Sequence, residues 1–255
     1  MTLTRAAAEW TVDLIEILSK GKRMSSNEIP LDDIQLAVID MAGTTVSDGG
    51  LVVSAFDAAG NAVGLPVEGP ERDRARKYVL DTMGQSKIEV FRALFGAEDI
   101  AQHANAEFEQ AYAELIAGGR AEPIDGAAEA ITELREAGIK VALTTGFSAV
   151  TQGKLLAALG WQDLADLVLA PGPGVRGRPH PDLILTALLR LEVDGVDNVA
   201  ALGDTANDIE SALRAGVAVA AGTLTGAHSE EQLRAAGATH VVGSVTDFAD
   251  LLLLG

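Results

Sequence analysis

The 255-residue chain has a formal net charge of −18 and no cysteine. These two facts exclude disulfides, thiol nucleophiles and cysteine-bound zinc, and argue against nucleic acid as the main partner, since phosphate backbones demand stripes of Lys and Arg. Hydrophobic residues make up 48% and aromatics only 4%, so a sizeable core of Ala, Leu, Val and Gly in helix-on-sheet layers is expected. No apolar run approaches the ~18 residues of a membrane span, and the N-terminus lacks a secretory pattern; the expectation is a cytoplasmic protein with no membrane partner.

Residues 1–33 read as an N-terminal extension. Trp10, Leu14, Ile17 and Leu18 fall at helical spacing with Glu9, Asp13 and Glu16 between them, the pattern of an amphipathic helix. It would dock on a partner, pack on the core, or precede a true start at Met24.

From residue 36 the pattern changes. LAVID (36–40) is a short, nearly all-apolar run ending in an acid, as expected for a parallel strand buried on both faces. Similar runs recur at 139–144, 167–170 and 199–202, with shorter ones in VAVAAG and THVVGSV, and helical segments separate them at about 126–137, 149–159, 181–191, 205–215 and 229–236. Alternation of this kind predicts an α/β fold, a doubly wound parallel-sheet Rossmann-like core with right-handed crossovers. Residues 51–122 break the rhythm with helical stretches punctuated by Gly and Pro. They predict an inserted helical cap domain, leaving 34–50 and 123–255 as the catalytic core.

Ligands of open α/β sheets bind beyond the carboxyl ends of the strands, so the strand-closing residues carry the functional reading. The first strand ends in Asp40-Met41-Ala42-Gly43-Thr44-Thr45, a carboxylate followed by residues that permit close backbone approach to a phosphoryl group. The second ends in Thr144-Thr145-Gly146, where a hydroxyl and successive N–H groups can hold phosphate oxygens. After the third comes Gly177-Arg178-Pro179-His180-Pro181, in which Arg178 can neutralise a dianion and His180 is read as a structural loop residue. The fourth ends in Gly203-Asp204-Thr205-Ala206-Asn207-Asp208, with Asp204 and Asp208 at i, i+4 and able to face one point. Two neighbouring carboxylates repel unless a cation intervenes, and oxygen ligands suit Mg²⁺. Each motif alone also has a structural reading, as a helix cap or a turn; four in chain order do not.

This order resembles the haloacid dehalogenase superfamily over residues about 35–245: DMAGTT is similar to its nucleophile motif, LTTG to its hydroxyl motif, GRPHP to its basic motif and GDTAND to its metal motif. The resemblance implies Asp40 as nucleophile, Mg²⁺ held by Asp40, the Ala42 carbonyl and Asp204, a supporting Asp208, and Thr144 and Arg178 on the phosphoryl group. Phosphatases and mutases of the superfamily carry a second Asp where this chain has Ala42, and an alkoxide leaving group benefits from such an acid by roughly 10²–10⁴-fold. Together with Met83-Gly84-Gln85-Ser86-Lys87-Ile88, the DMAGTT segment resembles the phosphonatase (phosphonoacetaldehyde hydrolase) branch. There a lid lysine, here Lys87, forms a Schiff base whose iminium takes the leaving electrons. Substrate contacts are then implied for Ala42, Gly43, Met83, Thr145 and Gly146, and a homodimer through the cap. The branch's supporting Cys, His and Tyr positions fall on Gly50, Val90 and Phe147, so the expected substrate is a small phosphonate or phosphate. The alternatives are a phosphatase or phosphoglucomutase-like enzyme, a metal-free dehalogenase, or a phospho-ligand binder without catalysis.

Overall fold

The computed structural model describes residues 31–254, so the helix pattern from Glu9 to Leu18 of the 1–33 extension lies outside the described residues. Six strands form one parallel sheet: β1 (Leu36–Asp40), β4 (Lys140–Thr144), β5 (Leu167–Leu169), β6 (Val199–Gly203), β7 (Val219–Thr223) and β8 (His240–Val242), in the order β5-β4-β1-β6-β7-β8. Every residue of β1, β6 and β7 is buried, which explains why these strands read as unbroken apolar runs rather than alternating ones. Helices α5 (Ala127–Glu136), α6 (Ala149–Leu159) and α10 (Val245–Leu254) cover one face, and α7 (Asp182–Arg190) and α8 (Ala206–Ala215) the other. A short α9 (Glu230–Ala235) precedes β8.

The chain runs from β1 outward to β4 and β5, then returns to β6 on the opposite side of β1. The direction of winding therefore reverses beside β1, where a crevice opens at the carboxyl ends of the strands. Register brings the candidate residues level: Asp40 pairs with Thr144, and Ile39 with Leu202, one residue before Gly203.

Between β1 and α5 lie four helices, α1 (Leu51–Ala62), α2 (Pro70–Asp81), α3 (Lys87–Phe95) and α4 (Glu98–Ala117). Few aromatics exist in the chain, yet they concentrate here. Phe91 stacks on Phe56 (6.1 Å between ring centres) and Phe95 (6.2 Å) and meets Phe108 edge-on (5.9 Å). Phe108 and Tyr112 in turn pack on Phe147 from the loop after β4, at 6.3 and 4.5 Å. The helical block and the sheet layer thus share one apolar cluster.

One element has no counterpart in the sequence reading. Val46–Ser47 (β2) and Glu122–Pro123 (β3) pair antiparallel, Val46 with Pro123 and Ser47 with Glu122, as a ribbon at the two ends of the block. Ile124 N–H extends it to the Thr45 carbonyl at 2.9 Å. Two-residue strands carry no periodicity to detect. Among the described residues no helix is long and apolar enough to cross a membrane.

Phe91 is 1% exposed and touches rings from three helices, so Phe91→Ala is expected to cost roughly 3–5 kcal/mol, read as a lowered urea midpoint with an unchanged slope.

Candidate active site

Arg178 organises the strand tips. Its Nη1 lies 2.6 Å from Asp40 Oδ1, its Nε 2.7 Å from Asp208 Oδ1, and its Nη2 donates to Thr144 Oγ1 at 2.5 Å. All four side chains are buried. The planar guanidinium fork suits this three-way bridge in a way that a lysine ammonium does not. Burial alone disfavours the Arg178 charge, but Asp208 and Asp40 outweigh it and hold its pKa above the ordinary value. Burial pushes the Asp40 carboxyl up to about 7; Arg178 opposes that rise, and Asp208 adds to it.

Asp204 sits apart from that bridge. Its Oδ2 accepts the Ala227 N–H at 2.7 Å, and burial, reinforced by Asp40 and Asp208, drives its pKa well above the usual carboxylate range. Gly43, at φ 87°, is needed here on two counts: the backbone is left-handed, and a Cβ would come within 2.4 Å of Asp204 Oδ2.

The structure narrows the expectation that Asp204 and Asp208 face one point. Asp208 is committed to Arg178 and to the start of α8, where it accepts the Thr205 N–H at 3.1 Å and completes a capping box with the Thr205 side chain. Asp208 therefore does the capping, and Asp204 stays outside both the cap and the bridge. The first N–H of α8, on Ala206, goes to His228 Nδ1 at 2.9 Å. Thr145 also departs from its expected role at the phosphoryl group: its hydroxyl turns inward and accepts the Phe147 N–H at 3.2 Å. The His180 carbonyl accepts from Ser211 at 2.8 Å.

The residues fit Mg²⁺ on charge and on donor type. Three buried carboxylates, Asp40, Asp204 and Asp208, face one guanidinium, which leaves negative charge uncompensated in a dry site. Among the described residues no N–H is recorded on the Ala42 carbonyl. No three acidic, imidazole or thiolate side chains converge on one point among them either. A donor set of two carboxylates and a carbonyl would leave the rest of a hard cation's shell to water and substrate oxygens.

Above the strand tips, Met83-Gly84-Gln85-Ser86 leads into α3, whose first residue is Lys87. The Lys87 ammonium lies 5.5 Å over the Phe147 ring and makes no ion pair among the described residues. Burial lowers its pKa to about 8; Asp48 and then Asp40 oppose the fall, Arg178 adds to it and Asp204 opposes it. Two groups nearby escaped the sequence reading. Asp48 accepts from Gly50 and Val52 N–H at 3.1 and 3.2 Å, anchoring its carboxylate at the start of α1. Tyr112 is buried against Phe147, and its phenol pKa is raised by burial and by Asp48 and Asp40. An acid just before a helix signals a cap for Asp48, but nothing local brings Tyr112 here. Of the supporting positions named above, Gly50 sits at the α1 N-cap, Val90 is core, and Phe147 forms the floor under Lys87.

A doubly wound sheet with an acid at the tip of β1, a basic bridge and a second acid after β6 is the layout of an α/β hydrolase that works at its strand tips. The profile of the haloacid dehalogenase-like hydrolases matches residues 34–216, and the chain belongs to that family. Phosphonoacetaldehyde hydrolase of Bacillus cereus is 30% identical over 203 residues, 72% of this chain and 74% of that protein. Probable phosphatase IndB of Dickeya dadantii (strain 3937) is 28% identical over 218 residues, 83% of this chain and 90% of that protein. In fold, the chain is similar to a phosphonoacetaldehyde hydrolase-like protein from Oleispira antarctica, with a TM-score of 0.75, 24% identity, and 90% and 95% of the two chains covered.

Arg178→Met would strand two buried carboxylates, Asp40 and Asp208. The expected cost is roughly 3–5 kcal/mol at neutral pH, measurable by chemical denaturation, and an unchanged midpoint would contradict the bridge.

Proposed function

We propose that this hydrolase uses Asp40 as nucleophile and Mg²⁺ as cofactor to cleave the phosphorus–carbon bond of a small phosphonoaldehyde, with Lys87 holding the aldehyde as a Schiff base. The observation that carries this reading is the Lys87 amine: set among Asp48, Asp40, Arg178 and Asp204, unpaired among the described residues, and with its pKa drawn down to about 8. A surface lysine is protonated at neutral pH and does not condense with carbonyls; a desolvated one is activated for it. Ala42 complements it. With no carboxyl there to protonate a leaving oxygen, an iminium that accepts the leaving electron pair removes the need for one. The phosphonoacetaldehyde hydrolases among the relatives support the same reading.

Asp40, Ala42 and Asp204 would hold the cation. When bound, Mg²⁺ neutralises negative charge so that a carboxylate can approach a phosphoryl group. Arg178 and Thr144 orient the phosphoryl oxygens and keep Asp40 aimed. Lys87 condenses with the aldehyde and releases water. Asp40 then forms a bond to phosphorus as the carbon–phosphorus bond breaks, and that electron pair passes into the iminium to give an enamine. Protonation at carbon and addition of water release the shortened aldehyde and restore the amine. A second water cleaves the aspartyl-phosphate to inorganic phosphate, so one water is consumed overall.

A second reading, phosphate-ester hydrolysis without Lys87 chemistry, is favoured by the match to the IndB phosphatase across 90% of its length. Borohydride separates the two. With phosphonoacetaldehyde and Mg²⁺, it should inactivate the enzyme and leave a reduced adduct on Lys87, whereas Lys87→Arg should take up no label. Trapping should accelerate as pH rises through about 8, because the neutral amine condenses; an unperturbed lysine would shift that rise to 10.5. Asp40→Asn and removal of divalent cation by EDTA should each abolish phosphate release, with Mg²⁺ restoring it only in the second case. Turnover confined to phosphate esters and insensitive to borohydride would remove the Schiff-base reading.

A further inference from the structure

The segment that delivers Lys87 is held to the sheet layer by contacts that the mechanism above does not use. Asn207, in the first turn of α8, is buried, and its side chain works in both directions. Its Nδ2 donates to the Met83 carbonyl at 2.7 Å, and its Oδ1 accepts from Gln85 Nε2 at 3.0 Å. On the far side, Lys87 N–H donates to the Gly146 carbonyl at 3.3 Å. Glycine permits the approach at both places. A Cβ on Gly84 would lie 2.6 Å from Thr205 Oγ1, and one on Gly146 would lie 2.5 Å from the Gln85 carbonyl. The residues before α3 are thus gripped between the loop after β4 and the start of α8.

We infer that Asn207 and Gln85 form a clasp that fixes the Met83–Ser86 segment over the strand tips and so positions Lys87. Asn207 is a positioning residue in this scheme, touching neither substrate nor the reacting atoms. An amide is the side chain the place requires, since it must donate to one main-chain carbonyl and accept from another amide at once. A carboxylate would set negative charge against the Met83 carbonyl, and an alanine would leave that carbonyl and the Gln85 amide unpaired. The two bonds are nested: removing Asn207 breaks both, and removing Gln85 breaks one. The catalytic consequence rests on the Lys87 reading above; the clasp itself does not.

Amide hydrogen exchange, resolved by residue on the full chain, tests it. Because Lys87 N–H bonds across the gap to Gly146, its protection measures how often the segment lifts away. Gln85→Ala should speed Lys87 exchange about threefold and Asn207→Ala about tenfold, in line with one and two buried hydrogen bonds. The double variant should match Asn207→Ala rather than multiply the two effects, since the partners share a bond. Amides of β1 and β6 should keep their wild-type rates. In the same variants the pH midpoint for acetylation of the Lys87 amine should move up from about 8 toward 10.5 as water reaches it; the charges facing it, Asp48, Asp40, Asp204 and Arg178, are untouched. Unchanged Lys87 exchange in both single variants would overturn the clasp, as would a uniform acceleration that includes β1 and β6. If borohydride fails to trap Lys87 in the wild type while the exchange pattern holds, the Schiff base falls and the clasp stands.

Discussion

The site depends on one buried guanidinium. Arg178 joins the tip of β1 through Asp40, the tip of β4 through Thr144, and the start of α8 through Asp208. These groups come from parts of the chain far apart in sequence, and their mutual repulsion would otherwise open the crevice. Replacing Arg178 by an apolar residue would leave carboxylates in a dry pocket with nothing to offset their desolvation, the condition under which buried charges are most costly. The same arrangement leaves Asp204 outside the bridge, with the Ala227 N–H on its carboxylate.

Much of this was readable before any coordinates. Strands buried on both faces write themselves as apolar runs, so β1, β4 and β6 were visible, and with them the residues at their carboxyl ends. Gly and Pro punctuation marked the helical block. The parallel sheet with flanking helices and the hydrolase family followed from these strand-tip motifs. What was not readable depends on side-chain direction or on pairing between short segments. Asp208 and Asp204 stand at a spacing that permits convergence, yet a capping box turns Asp208 toward the helix and Arg178. Thr145 follows Thr144 directly, yet its hydroxyl is taken up by the Phe147 N–H two residues on. Tyr112 reaches Phe147 from the far end of a 20-residue helix, a contact that only the packing of α4 on the sheet layer creates.

The proposed site draws on two layers of the molecule. Asp40, Thr144, Arg178, Asp204 and Asp208 all stand on the sheet or on segments attached to it, while Met83, Gln85 and Lys87 belong to the helical block. Phe147 is the meeting point: it belongs to the sheet layer, yet its ring lies under Lys87 and against Tyr112. Burial is what draws the lysine's pKa down there, and charge on Asp48 opposes the fall.

The ribbon of β2 and β3 has a consequence of its own. Because the chain departs for the helices and comes back through two backbones zipped together, the insertion is joined to the scaffold at points only about 5 Å apart, the spacing of paired strands. An excursion whose ends nearly coincide imposes almost no constraint on what lies between them. The hinge points therefore leave the length of the block open, and what ties it down is the packing of Phe108 and Tyr112 on Phe147 and the hydrogen bonds from Asn207 to the Met83–Gln85 segment.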